Sequence, residues 1–365
     1  MADRRSIFLT GVTGTLGKEF VKELLLTREE NLILLIRRKT RYSHWDRARK
    51  ILSAYGLERF LGTRVAVLDG DITLPEFGLG PEDLNLLRRE AREFFHIAAL
   101  TTLNGSEEDC KRINTGGAQE AVRLAWDFRQ NGVLDRFFYF STAYVAGSRQ
   151  TLRAKEDELP DRPAHANFYE SSKYNAEKKV REAMQAGLPV TIFRPSIVVG
   201  DSQTGEVSEF NVIYPFIKLF AHGMISVLPT RIENSFNIVP IDFVIKAASI
   251  ISRQTDSIGR TFHLVSQDPP TIATFLELKE EYHEIPPIKV IAPEDFKREG
   301  LDPAAQLIYD MLDPYMGYLN DNLTFDDTNT AKALAGTGLE FPKTDYEFLK
   351  TLLRYAVDAG YLLVK

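Results

Sequence analysis

A phenol and an amine placed four residues apart on one helix can hand over a proton and hold a charge, and Tyr169 and Lys173 have that spacing. Residues four apart share a helix face. A phenol ordinarily loses its proton near pH 10, and a neighbouring ammonium favours the phenolate, bringing the group towards working pH. The pattern alone decides little, because Tyr174/Lys178, Tyr214/Lys218, Tyr346/Lys350 and Tyr361/Lys365 repeat it. Context selects Tyr169. It opens a long helical pattern after a loop, and it follows "FYFSTAYVAGS", an apolar strand ending in the hydroxyls of Ser141 and Thr142. The frame Tyr174/Lys178 begins on the same helix about 140° further round, so only one of the two faces a common site. In the selected frame Tyr169 gives a proton to a carbonyl oxygen as hydride reaches the carbon. Thr142 holds either that oxygen or the tyrosine hydroxyl.

A hydride needs a donor, and the first turn of the chain is shaped to hold one. In "FLTGVTGTLGKEF" the glycines Gly11, Gly14 and Gly17 are three apart, between an apolar run and a helical pattern. Glycine permits positive φ in a tight turn. Without Cβ, the backbone can approach a diphosphate, whose charge then rests at a helix N-terminus. The turn residues Thr10, Thr13, Thr15 and Leu16 join the glycines as candidate cofactor contacts. The second strand ends "LLIRRKTR". Arg37 and Arg38 stand where an NAD-preferring site places a carboxylate on the ribose hydroxyls. A guanidinium matches a phosphate in charge and in fork geometry, so the expected cofactor is NADPH. Lys173 is in addition a candidate ligand of the nicotinamide ribose.

These side chains need a scaffold, and the apolar pattern supplies one. Strands are expected at Ser6–Thr10, Asn31–Ile36, Arg64–Leu68, Phe94–Ile97, Arg136–Ser141, Val190–Arg194 and Thr261–Val265. Helices are expected at Leu16–Leu26, Trp45–Ala54, Asp83–Ala91, Ile113–Arg129, Tyr169–Ala186 and Phe243–Ser252. Strands rich in Val, Ile, Leu and Phe without clean alternation are buried on both faces. Their alternation with helices implies an α/β fold with a doubly wound parallel sheet. After Val265 the rhythm stops, with breaks at "SQDPPTI" and "EIPPIKVIAPED". We therefore expect a nucleotide-binding domain over 1–266 and a smaller, mostly helical cap over 267–365, joined in space by an insertion at 200–235.

Composition narrows the function. Among 365 residues the net charge is −6 with no basic block, which argues against a nucleic-acid partner. A single cysteine, Cys110, allows no internal disulfide, and six scattered histidines show no metal spacing. These points favour a reducing, cytoplasmic setting without a resident metal. No stretch reads as a transmembrane helix or a signal peptide; the most apolar, Phe210–Leu228, is broken by Lys218, His222 and Gly223. Within it "FNVIYPFIKLFAHG" is a candidate lining for an acyl tunnel or a core helix. His96 and Cys110 read as packed side chains, and "KEDELPDR" as a solvated loop.

The motifs "TGVTGTLG", "STAYVAG", "YESSK" and "FRPSIVVGDSQTGE" resemble the extended short-chain dehydrogenase/reductase superfamily. "GLPVTIFRPSIVVG", "NIVPIDFV" and the ending from "LTFDDTNTAKAL" to "VDAGYL" are similar to its fatty acyl-CoA reductase and thioester reductase branch. The resemblance spans the whole chain. It implies Thr142, Tyr169 and Lys173 as the active trio. It puts Asp71 and Ile72 of "DGDIT" at the adenine, Ala98 and Ala99 of "HIAALTT" near the phosphates, and Arg194, Pro195 and Ser196 at the nicotinamide end. The implied reaction is reduction of an acyl thioester, on CoA or an acyl carrier protein, to an aldehyde and possible further reduction to an alcohol. Two other readings stay open: a sugar-nucleotide epimerase or dehydratase, or an aldehyde or hydroxysteroid reductase, of the same superfamily; and a non-catalytic NADP-binding sensor. Monomer and homodimer are equally compatible with the sequence.

Overall fold

The computed structural model describes residues 5–147, 153–210, 213–278, 287–299 and 301–362. Seven strands form one sheet: β1 (Ser6–Thr10), β2 (Asn31–Leu35), β3 (Val65–Leu68), β4 (Ala91–His96), β5 (Arg136–Phe140), β6 (Val190–Pro195) and β7 (Thr261–Leu264). Their order is β7-β6-β5-β4-β1-β2-β3, and every neighbouring pair is parallel. All residues of β1, β5, β6 and β7 are buried, as a sheet covered by helices on both faces demands. Phe8, Phe94 and Phe137 pack on one face, while Phe95, Phe138 and Phe193 pack on the other. Burial of each such ring contributes about 1.5–3 kcal/mol. The strand order reverses between β1 and β4, and that switch point opens a crevice at the C-terminal ends of the strands.

The expected strands and helices are all present, with ends moved by a few residues. One helix differs in kind. The segment expected as a single helix at Ile113–Arg129 is a short α-helix Glu107–Cys110, a π-helical turn Lys111–Gly116 and an α-helix Gly117–Gln130. The wide turn carries Asn114, whose amide is fixed by the Leu100 backbone and by Ser172. That fixation stabilises a geometry otherwise rare in helices.

Beyond β7, the later chain packs with the 200–235 segment around one apolar cluster that includes Tyr214, Phe216, Phe220, Phe275, Tyr309 and Leu352. Lys289–Ile291 pairs in parallel with Val227–Pro229, and Thr324–Phe325 with Arg153–Ala154. Packing crosses the boundary expected at 266/267, because Leu334 and Phe341 return to the sheet-side core. In "KEDELPDR" the expectation of a solvated loop fails at Glu156. Its carboxylate is buried and accepts from the backbone of His263, Asn329 and Thr330. No described helix is long and apolar enough to cross a membrane.

Candidate active site

A cavity of about 490 Å³ lies at the switch point. Gly11, Thr13, Gly14, Thr15, Leu16 and Gly17 line one part of it, and Thr142, Tyr169 and Lys173 another. Ile72, Ala98, Ala99, Pro195 and Ser196 lie between. Helix Thr15–Thr27 starts directly after Gly14, so its N-terminus points at this space. Gly11 has φ +75°, and a Cβ there would lie 2.4 Å from the Ala98 backbone nitrogen. A Cβ on Gly17 would lie 2.3 Å from the Gly11 oxygen. Those two glycines hold the turn against its surroundings. Gly14 is different: the nearest atom to an added Cβ is the Gly11 oxygen at 3.4 Å, an ordinary contact without a clash, so its bare side is open to the cavity rather than filled by the protein. The Ser196 hydroxyl is buried with no partner among the described residues. An open glycine face at a helix N-terminus and an orphaned hydroxyl in the same cavity fit a dinucleotide.

The basic strand end divides between two tasks. Arg37 lines the cavity and bonds Asp71 at 2.9 Å. Burial works to raise the Asp71 carboxyl, but the Thr73 amide and Arg37 hold it below its ordinary value. Arg38 does not line the cavity; it is exposed and paired with Asp69. A residue the sequence reading missed takes its place. Arg47 lines the cavity, and its guanidinium donates to the Arg37 carbonyl. The readable signal was the capping box of Ser43 and Asp46, which starts helix His44–Ala54 and puts Arg47 in its first turn.

Helix Phe168–Gln185 carries Tyr169 and Lys173, and the end of β5 carries Thr142. Asn167 caps that helix by accepting from the Glu170 amide at 3.0 Å. Tyr174 bonds the Pro160 carbonyl at 2.8 Å and Lys178 is exposed, so this second frame faces away from the cavity. Tyr214/Lys218 and Tyr346/Lys350 lie outside the cavity as well, and Lys365 lies outside the described residues. Lys173 is buried; its Nζ donates to the Phe140 carbonyl at 2.6 Å and sits 4.5 Å from the Tyr139 ring centre. Burial lowers the amine to about 7, with Glu177 opposing. The electrostatic expectation for Tyr169 is corrected. Burial pushes the phenol well above its ordinary value, and the Thr142 hydroxyl, not Lys173, is the group that opposes this. The amine is turned to the Phe140 carbonyl instead.

Residues 9–248 match the family model described as Male sterility protein, an NAD-binding family. The chain belongs to this family. It is similar to the terminal R domain of the myxalamid PKS-NRPS pathway, with 28% identity and a TM-score of 0.85, covering 100% of this chain and 93% of that one. It is 28% identical to the nonribosomal peptide synthetase asaC of Aspergillus flavus, over 91% of this chain and 34% of that protein. It is 26% identical to the putative fatty acyl-CoA reductase CG8303 of Drosophila melanogaster, over 68% of this chain and 51% of that protein. The chain spans 7% to 36% of the length of the first curated relatives it matches. Membership and this structural likeness give the male-sterility-family protein an extended short-chain dehydrogenase/reductase fold with a nicotinamide-dinucleotide-binding domain.

Within this family member, two further residues expected at the cofactor, besides Arg38, are placed elsewhere. Thr10 is fully buried, and its hydroxyl is 2.9 Å from His96 Nδ1. Arg194 points away from the cavity that Pro195 and Ser196 line, because side chains alternate along β6. Its guanidinium is buried on Glu177, with Nη2 at 2.6 Å and Nε at 3.0 Å, and also donates to the Glu158 carbonyl. Glu177 accepts in addition from Ser141 at 2.6 Å, immediately before Thr142. Arg194 thus braces the strand end and helix Phe168–Gln185 from behind. Asn114 does the same from the side, by tying the Leu100 loop to Ser172 beside Lys173.

Proposed function

We propose that this protein is an NADPH-dependent reductase of acyl thioesters, acting on CoA or carrier-protein conjugates and releasing an aldehyde. One observation carries the reading: a single cavity runs from Arg37 and Arg47, past the open face of Gly14, to Thr142, Tyr169 and Lys173. Arg37 and Arg47 supply fork geometry for a ribose phosphate. The glycine turn takes the diphosphate, Ile72 borders the adenine, and Lys173 and Ser196 face the nicotinamide end. The relatives named above include the terminal R domain of a PKS-NRPS pathway and a putative fatty acyl-CoA reductase, and an acyl-CoA is a thioester. The single buried Cys110 fits a reducing cytoplasmic setting.

When bound, the dinucleotide supplies a hydride to the thioester carbonyl carbon. The chain's own residues manage the oxygen. Thr142 donates a hydrogen bond to it as negative charge develops, the kind of stabilisation that is strongest in a site shielded from water. Tyr169 is kept protonated by burial, so it enters the reaction as an acid and gives its proton to that oxygen. Lys173, lowered to about 7 by burial and held on the Phe140 carbonyl, is placed to bond the nicotinamide ribose when the dinucleotide is bound, and Tyr169 regains its proton from solvent. The resulting hemithioacetal loses its carbon–sulfur bond, the thiol leaves with a proton, and the aldehyde remains.

The test is an NADPH-oxidation assay with acyl-CoA and acyl-pantetheine thioesters, with the aldehyde trapped and identified. Turnover is expected, and Tyr169→Phe is expected to cut kcat by roughly 10²–10⁴-fold while NADPH still binds. Bound NADPH with no thioester consumed at any chain length would reject the substrate class. A Tyr169→Phe variant with undiminished turnover would reject the role of the phenol.

A further inference from the structure

Among the described residues, the chain beyond β7 contributes a single side chain to the cavity, Tyr318 of helix Pro303–Asn320. Its ring meets Tyr144 edge-on, with centres 4.7 Å apart at 83°. Tyr144 lies two residues after Thr142, and its backbone N–H donates to Thr142 Oγ1 at 3.3 Å. The two rings therefore border the reacting centre on the side away from the glycine turn.

Both rings are fixed. The Tyr318 hydroxyl bonds the Glu170 carboxyl and receives Asn167 Nδ2 at 3.2 Å, so the residues flanking Tyr169 hold it. The Tyr144 hydroxyl donates to the Asn237 carbonyl at 3.3 Å, and its ring meets Phe325 at 5.5 Å. Helix 303–320 packs closely on the chain before Tyr169, since a Cβ on Gly317 would lie 2.8 Å from Ala166 Cβ. Behind the two rings the cap is filled by its apolar cluster. Tyr214, Phe216, Ile217 and Phe220, the segment with the composition of a tunnel lining, are buried in that cluster and none lines the cavity.

We propose that Tyr318, packed on Tyr144, is the end wall of the acyl pocket and limits this enzyme to short acyl groups. The proposal rests on the thioester-reductase reading above. A short acyl arm fits in front of the rings. A long one meets two anchored aromatic side chains with a packed core behind them, and interiors at native density do not yield room for several methylenes.

The experiment compares kcat/KM for acetyl-, butyryl-, hexanoyl-, octanoyl- and dodecanoyl-CoA in the wild type, Tyr318→Ala and Tyr318→Phe. The wild type is expected to fall steeply beyond the shorter chains. Tyr318→Ala opens the wall, and its octanoyl-to-butyryl ratio is expected to rise by about tenfold or more, the scale at which a hydrophobic pocket discriminates. Tyr318→Phe keeps the ring, so its chain-length profile is expected to follow the wild type whatever its absolute rate. Wild-type preference for dodecanoyl over butyryl overturns the proposal and leaves the thioester reading intact. An unshifted ratio in a folded Tyr318→Ala protein that binds NADPH overturns it too. Should Tyr318→Ala not fold, Tyr318→Leu gives the same comparison. Silence towards every thioester overturns the underlying reading, and the proposal falls with it.

Discussion

At the scale of single residues, the proposed preference for NADPH over NADH rests on charge around the end of β2. Arg37 and Arg47 line the cavity together, and Arg38 is engaged by Asp69 outside it. A hydrogen bond to a charged group contributes about 1.5–3 kcal/mol. Each of Arg37→Ala and Arg47→Ala is therefore expected to weaken NADPH binding by roughly 10–100-fold and to leave NADH binding nearly unchanged. Arg38→Ala is expected to do neither. Titration of NADPH and NADH fluorescence against the three variants checks this, and an Arg38→Ala loss equal to that of Arg37→Ala would reverse the assignment. The sequence displayed Arg37 and Arg38 as an equivalent pair. What separates them is the register of the chain leaving a strand, which sends adjacent side chains to opposite sides. Arg47 was harder to read, since it reaches the cavity from a helix whose placement is tertiary.

At the scale of elements, the strand–turn–helix unit of β1 and helix 15–27 was legible in full. Each of its glycines leaves a local trace, and the pattern of three was in the sequence. Yet equal spacing hides unequal work. Gly11 is confined by φ +75° and by the Ala98 backbone 2.4 Å from an added Cβ, whereas an added Cβ on Gly14 would make only an ordinary 3.4 Å contact with the Gly11 oxygen. Gly11→Ala carries about 1–3 kcal/mol of backbone strain in addition to that clash. It is expected to lose both thermal stability and nucleotide binding. Gly14→Ala is expected to melt within a degree or two of the wild type and still bind NADPH poorly, because the methyl group occupies the side the diphosphate approaches. Paired melting curves with and without NADPH distinguish the two, the ligand-dependent rise in Tm being the readout. A Gly14→Ala protein with a full NADPH-dependent rise would show that the diphosphate rests elsewhere. The π-helical turn at 111–116 was not legible, because it depends on the contacts of Asn114 with Leu100 and Ser172 across the site rather than on local propensity.

At the scale of the whole molecule, one buried polar web joins parts of the chain that the sequence presents as separate. Glu177 of helix Phe168–Gln185, Arg194 of β6, His263 of β7 and the backbone of the 153–163 loop meet in it, and Glu156 extends it to Asn329 and Thr330. None of these residues forms a recognisable spacing. That is why Arg194 read as a cofactor contact and Glu156 as solvated: burial and partnership are properties of the assembled fold. Within the web, burial alone would raise the Glu177 carboxyl, but Arg194, Arg181 and the Ser141 hydroxyl hold it at about 2 against an ordinary 4.5. Arg194→Met removes the largest counter-charge and leaves the buried carboxylate with Arg181 and Ser141 alone, a change whose cost is bounded by the ~3–5 kcal/mol of breaking a buried pair. The sign of its pH dependence follows from linkage. A carboxyl whose folded value is depressed contributes stability fully above the unfolded value, and loses it as pH falls through the folded one. In the variant, Glu177 no longer has that depressed value, so protonation relieves it rather than harming it. The stability gap between wild type and Arg194→Met is accordingly expected to be fully open on the neutral side of about pH 4.5 and to narrow as pH falls from there towards about 2. Urea unfolding at a series of pH values measures the gap directly. A gap that stays constant across this range would mean that Arg194 acts through packing alone and that Glu177 is not held ionised by it.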